Sequence, residues 1–117
     1  MKKAFLVISH GSHSPKLLEE IEILVQALKG MIKYPIGEYA FLEITQPDIP
    51  TGIRNCVDQG ADEIRILLNF LNSGRHVNQD IPRIVESAQQ NYPHVKITIS
   101  TPVGQHKQIP HLFADLA

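Results

Sequence analysis

Ala4-Phe5-Leu6-Val7-Ile8, followed at once by Ser9-His10-Gly11-Ser12-His13-Ser14-Pro15, decides the fold. Five consecutive apolar residues rich in β-formers are what a strand buried on both faces of a parallel sheet requires, because helices cover such a strand from either side. The polar stop ends the strand, and Ser14 before Pro15 gives an N-cap with proline at the first helical position. Leu17, Leu18, Ile21, Leu24, Val25 and Leu28 then recur at helical spacing. Lys16, Glu19, Glu20 and Glu22 fall mostly on the opposite face, and Gly30 loosens the end. The stretch reads as strand, turn, helix.

The same alternation continues outward. Glu38 to Ile44 reads as a second strand, after which Pro47 and Pro50 mark the opening of a helix with Ile49, Ile53, Cys56 and Val57 inward, closed by Gly60. Asp62 to Asn69 supplies a third strand, and Asn72 to His76 a turn. Asp80 to Asn91 is a helix carrying Ile81, Ile84, Val85 and Ala88 inward. Val95, Ile97 and Ile99 alternate with Lys96, Thr98 and Ser100, the pattern of an edge strand with one wetter face. A short helix from Pro110 to Leu116 ends the sequence. Strands alternating with helices predict an α/β fold with a four-stranded parallel sheet, right-handed crossovers and helices on both faces. With the most apolar strands central, the order is 2-1-3-4, a flavodoxin-like reversal. Ligands in such sheets bind beyond the strands' carboxyl ends at the reversal, here between strands one and three.

Composition narrows the function. The 117 residues, 43% hydrophobic and 20% charged, make one ordinary globular domain over 1–117, with no internal repeat or linker. A formal charge of −1 with no basic block gives no footprint for nucleic acid. The single cysteine, Cys56, excludes an internal disulfide framework or a cysteine-built metal cluster and fits a reducing compartment. No apolar run approaches the roughly 20 residues that span a bilayer, and AFLVI lacks a cleavage site after it. The expectation is a cytoplasmic protein without a membrane partner.

The chemistry gathers at the predicted crevice. His10 follows strand one, Glu43 lies at the end of strand two, and His76 lies in the loop after strand three. Neighbouring strands lie about 4.8 Å apart, so side chains from adjacent strand ends can reach one ion or bracket a flat ligand. An unperturbed imidazole titrates near pH 6.5, so it can take a proton or give a lone pair to a first-row divalent metal. Two histidines and one carboxylate leave coordination positions open, whereas a structural zinc site is closed by four ligands. Gly11 and Gly74 beside the histidines permit close backbone approach. Each residue also has a plainer role: a strand-end histidine can simply bond loop backbone, and Glu43 can be solvated or paired. His13 is either a third ligand or a surface residue ahead of the helix. His94, His106 and His111 follow no ligand spacing, Cys56 lies on an apolar helix face, and Phe41, Phe70 and Leu71 read as core or crevice wall. Walker A, GxGxxG and GxSxG patterns are absent. The Ser9–Ser14 loop can offer backbone N–H groups to an anion. A phosphoryl-transfer histidine would call for an arginine before His-Gly, where Ser9 stands.

Ile8-Ser9-His10-Gly11-Ser12, Phe41-Leu42-Glu43 with Pro47 after it, and Phe70-Leu71-Asn72-Ser73-Gly74-Arg75-His76-Val77 running into Asp80-Ile81-Pro82 resemble the small class II sirohydrochlorin chelatases. The strongest block is FLxxGxHVxxDIP. Thr101-Pro102-Val103-Gly104 also looks like the family's final loop. Leu68 stands where the family commonly has proline, and His13 where it often has a basic residue. The resemblance implies a chelatase-like fold and ATP-independent insertion of Co²⁺ or Fe²⁺ into sirohydrochlorin, in cobalamin or siroheme synthesis. The divalent metal is then substrate, with Ni²⁺ accepting the same ligand types, and no organic cofactor is implied. Carried over by position, His10 and His76 bind metal with Glu43 as the crevice carboxylate, and His10 accepts protons. Leu71, Asn72, Ser73, Gly74 and Arg75 match the segment that contacts the tetrapyrrole. A homodimer is implied, since the family's small members look like half of its longer ones.

Overall fold

The computed structural model describes residues 2–117. β1 (Lys3–Ser9), β2 (Ile36–Phe41), β3 (Glu63–Leu68) and β4 (Lys96–Pro102) pair in parallel in the order β2-β1-β3-β4. The order and direction are those the apolar runs predict. Ala4 to Ile8 are all buried, as a central strand between two layers must be.

Alternate residues of β1 feed two separate cores. Ala4, Leu6 and Ile8 join Ile64, Ile66 and Leu68 under α2 (Ile49–Asp58) and α3 (Ile81–Gln89), through Ile49, Ile53, Cys56, Ile81 and Val85. Phe5 and Val7 face the other way and meet Ile21 and Val25 of α1 (Lys16–Met31). Burying each such side chain is worth about 1.5–3 kcal/mol, so this two-sided alternation locks β1 in register. The two faces are unequally covered. α2 and α3 share one, while α1 alone serves the other, packed beside β2. α4 (Ile109–Leu116) stands apart with no buried residue.

The element boundaries move where local bonding overrides pattern. α1 begins at Lys16, one residue later than expected, with Pro15 at the N-cap position and Ser14 Oγ accepting from the Lys16 N–H at 3.3 Å. β2 ends at Phe41 and not at Ile44: the Phe41 N–H turns to the Pro47 carbonyl, and Ile44 takes a left-handed φ of 72° that no strand tolerates. β4 runs on to Pro102 past a register shift opposite Ile66 and Leu68. Leu68 uses its N–H, which donates to Ser100 Oγ at 3.1 Å. A proline there would forfeit that bond.

Candidate metal site at the strand ends

The carboxyl ends of β1, β2 and β3 are tied together before any side chain acts. The N–H of Leu42 donates to the Ser9 carbonyl at 2.9 Å, that of Glu43 to the His10 carbonyl at 3.0 Å, and that of Asn69 to the Ile8 carbonyl at 2.8 Å. Asn69 Nδ2 adds a bond to Ser9 Oγ at 3.0 Å. Thr45 clasps the next turn, its Oγ1 accepting from the Ser12 N–H and donating to the Ser12 carbonyl. Gly11 is where these loops touch. With φ 111° and the Glu43 carbonyl packed against its Cα, it has no room for a Cβ.

On this frame His10, Glu43 and His76 converge. One ligand atom from each lies within 4.8 Å of the others. His10 Nε2 sits 2.7 Å from Glu43 Oε1, and the two imidazole centroids are 5.2 Å apart at 48°. All three side chains are about half exposed, so an incoming ion meets ligands and water together. Glu43 reaches this position from the loop after β2, two residues beyond the strand.

His76 opens a one-turn π-helix, His76–Asp80, that runs directly into α3. The wider turn bonds the Ile81 N–H back to the His76 carbonyl and sets His76 above Asp80. Nδ1 of His76 donates to Asp80 Oδ2 at 2.8 Å, which fixes the tautomer and leaves Nε2 as the nitrogen with a free lone pair. Carboxylate support of a histidine in this way is a recurrent device at metal sites. Asp80 was legible only as a helix opener and as part of the DIP motif, although the i,i+4 spacing of His76 and Asp80 carried the signal.

The segment Leu71 to Arg75 is exposed alongside the cluster. Its start is anchored from below by a 3₁₀ turn, Val103–Gln105: the Gly104 N–H donates to the Phe70 carbonyl at 3.0 Å, and Gln105 Nε2 to the Leu71 carbonyl at 3.3 Å. Gly104 is pressed so closely onto Leu71 that a side chain would overlap its carbonyl. A recess lined by Leu42, Glu43, His76, Asp80, Arg83 and Ile84 opens beside the histidines, about 250 Å³ in volume. His13, His94, His106 and His111 are exposed and lie outside the cluster. Phe41 is core, Phe70 partly buried, and Leu71 exposed. Burial pushes the Cys56 thiol up to about 12, so it remains an inert core residue. No helix among the described residues is long and apolar enough to cross a membrane.

A parallel α/β sheet in this strand order, with an open two-histidine, one-carboxylate constellation at its switch point, is the architecture of the chelatase-like class. The chain belongs to the CbiX family, whose model matches residues 4–117. It is 34% identical over 109 residues to the sirohydrochlorin ferrochelatase of Bacillus subtilis, spanning 93% of this chain and 42% of that one. It is 30% identical to the sirohydrochlorin cobaltochelatase of Sulfolobus acidocaldarius over 96% of this chain and 87% of that protein. Among solved structures, the sirohydrochlorin chelatase SirB from Bacillus subtilis subspecies spizizenii in complex with cobalt superposes with a TM-score of 0.86 at 33% identity, covering 100% of this chain and 52% of that one. SirB from Bacillus subtilis with Fe³⁺ gives 0.87 at 32% identity, covering 100% and 48%. The chain thus spans about half the length of several relatives it matches.

Proposed function

We propose that this chain inserts a divalent metal, Co²⁺ or Fe²⁺, into sirohydrochlorin without ATP, as a step of cobalamin or siroheme synthesis. The observation that carries the reading is the convergence of ligand atoms from His10, Glu43 and His76 within 4.8 Å at an open strand edge. The names of the relatives supply the substrate class. On this reading residues 1–117 act as one domain, and two copies face each other across the macrocycle.

Insertion exchanges two pyrrolic N–H protons for one dication, so it needs a perch for the metal and a base for the protons. His10, His76 and Glu43 hold the ion with coordination positions left for the macrocycle nitrogens. As the ion passes to the ring, Nε2 of His10 is released and takes one proton. Glu43, 2.7 Å away, then faces an imidazolium and stabilises it. The second proton leaves to water at this half-exposed site. Leu71 to Arg75 lie along the ring, and the Arg75 guanidinium meets its peripheral carboxylates.

The test mixes purified protein with sirohydrochlorin and Co²⁺ and follows the absorbance change against the spontaneous rate. Acceleration is expected, and His10→Ala should lose about 100-fold or more of it. A His10→Ala protein as fast as the parent removes His10 as base. Tight Co²⁺ binding without any acceleration would favour the second reading, a non-catalytic relative that binds metal or tetrapyrrole.

A further inference from the structure

We propose that the groove between α2 and α3 holds carboxylates on the rim of the tetrapyrrole, with Arg54 and Arg83 as the residues that select a carboxylate-rich macrocycle. The inference rests on the proposed insertion reaction and adds to it the part of the chain that reads the ring's edge. The recess beside Glu43 and His76 has a volume of about 250 Å³, below the roughly 300 Å³ at which small-molecule sites begin. A macrocycle whose centre meets His10, Glu43 and His76 therefore overhangs it. The recess continues past Arg83 and Ile84, which line both it and a second groove of about 550 Å³ between α2 and α3. Arg83 stands at the boundary between the metal ligands and that groove.

The chemistry of the groove is that of an anion site. Arg54 comes from the second turn of α2 and Arg83 from the first turn of α3, and no Asp or Glu lines the space they share. Among the described residues neither guanidinium joins an ion pair. Both are exposed, in a chain whose formal charge is −1. Two cations lining one groove repel each other until an anion enters, so a carboxylate gains from both. Thr51, at i−3 from Arg54, and Ser87 and Asn91, at i+4 and i+8 from Arg83, line the same groove and add uncharged hydrogen-bonding groups. Ile84 and Tyr92 supply apolar wall, which suits a flat ring with charged edges better than a free inorganic anion. Asp80, bonded to His76 at 2.8 Å, lies one turn before Arg83. One segment thus carries the support of a metal ligand and, a turn further on, the grip on the rim. Arg75 lines neither cavity, so the arginines of the groove act on a different part of that rim.

Binding of metal-free sirohydrochlorin to the full chain, followed by the macrocycle's fluorescence, tests this apart from insertion. Arg54→Ala and Arg83→Ala, both at exposed sites, should each weaken binding about 5-fold and the double variant about 20-fold, with circular dichroism and Co²⁺ affinity unchanged. Arg83→Lys should retain part of the grip. In the insertion assay the loss should appear in KM with kcat near parental, the sign of an interaction made equally before and during the reaction. Uroporphyrin, with a carboxylate-rich rim, should compete with sirohydrochlorin for the parent far better than mesoporphyrin, whose rim is mostly alkyl, and the double variant should lose that preference. A double variant that binds sirohydrochlorin as the parent does, or that keeps the preference, overturns the inference while the insertion reaction stands. So does a loss of Co²⁺ affinity equal to the loss of macrocycle affinity, which would place Arg83 at the metal. Inorganic phosphate held at both arginines and not displaced by sirohydrochlorin would identify a separate anion site and overturn it equally. A parent that binds no sirohydrochlorin overturns the proposed reaction itself, and the inference with it.

Discussion

Nε2 of His10 lies 2.7 Å from Oε1 of Glu43, so the nitrogen proposed to bind an incoming cation faces the carboxylate proposed to bind it too. On the proposed reading an ion entering between them meets both ligand atoms at once, and the metal and the proton that replaces it occupy the same nitrogen in turn.

Glu43→Gln should accordingly weaken Co²⁺ binding about 10-fold or more while His10 still ligates, because the variant loses an anionic ligand atom and keeps the side chain's shape. Titration calorimetry with Co²⁺ checks it, and parental affinity in Glu43→Gln would mean that Glu43 does not hold the ion.

Asp80 acts on the site through His76. Because Nδ1 of His76 donates to Asp80 at 2.8 Å, Asp80→Ala frees the ring to rotate and to change tautomer. Co²⁺ affinity should fall about 10- to 100-fold, the usual cost of losing a carboxylate behind a metal-binding histidine. Asp80→Glu should recover part of it. The cobalt absorption spectrum checks the assignment, since a merely structural Asp80 would leave the spectrum of the loaded site unaltered.

How much of this was legible in the sequence depends on which force set each feature. The strand order followed from burial alone, since Ala4–Ile8 and the Ile64, Ile66, Leu68 series are apolar where a central strand must be. His10 and His76 were legible because topology carries strand ends to one edge. What pattern could not give was particular bonding: the early end of β2, where the Phe41 N–H turns to the Pro47 carbonyl, the left-handed Ile44 beside the bond from the Glu43 N–H to the His10 carbonyl, and the π-turn closed by the bond from the Ile81 N–H to the His76 carbonyl. Asp80 read as a helix opener because nothing in composition tells a capping carboxylate from one that grips a histidine.

Gly11 tests whether the loops behind the cluster set its geometry. At φ 111°, packed on the Glu43 carbonyl, Gly11→Ala introduces both backbone strain and an overlap. Thermal unfolding should register a loss of about 1–3 kcal/mol. Co²⁺ affinity should also drop, because the bond from the Glu43 N–H to the His10 carbonyl is what holds those two side chains in step. Gly74→Ala makes the control, with open space around its Cα and negligible change expected in stability. If both variants melt like the parent, the close approach at Gly11 is not real in solution.

Asp48 gives the pH dependence of the fold its sign. At the N-cap of α2 its carboxylate accepts from the Thr51 N–H at 2.9 Å, and that hydrogen bonding holds its pKa below the ordinary carboxylate range. A group whose pKa is lower folded than unfolded stabilises fully above its unfolded value, near 3.9, and loses that contribution as pH falls through the folded one. Asp48→Ala should therefore cost about 1 kcal/mol in urea unfolding at neutral pH. As the pH is taken below about 4 the parent loses its charged cap, and the two proteins should converge in stability. Curves that stay equally separated from neutral pH down to the acid limit would show that the Asp48 charge contributes nothing, and that the variant's deficit comes from lost packing at the start of α2.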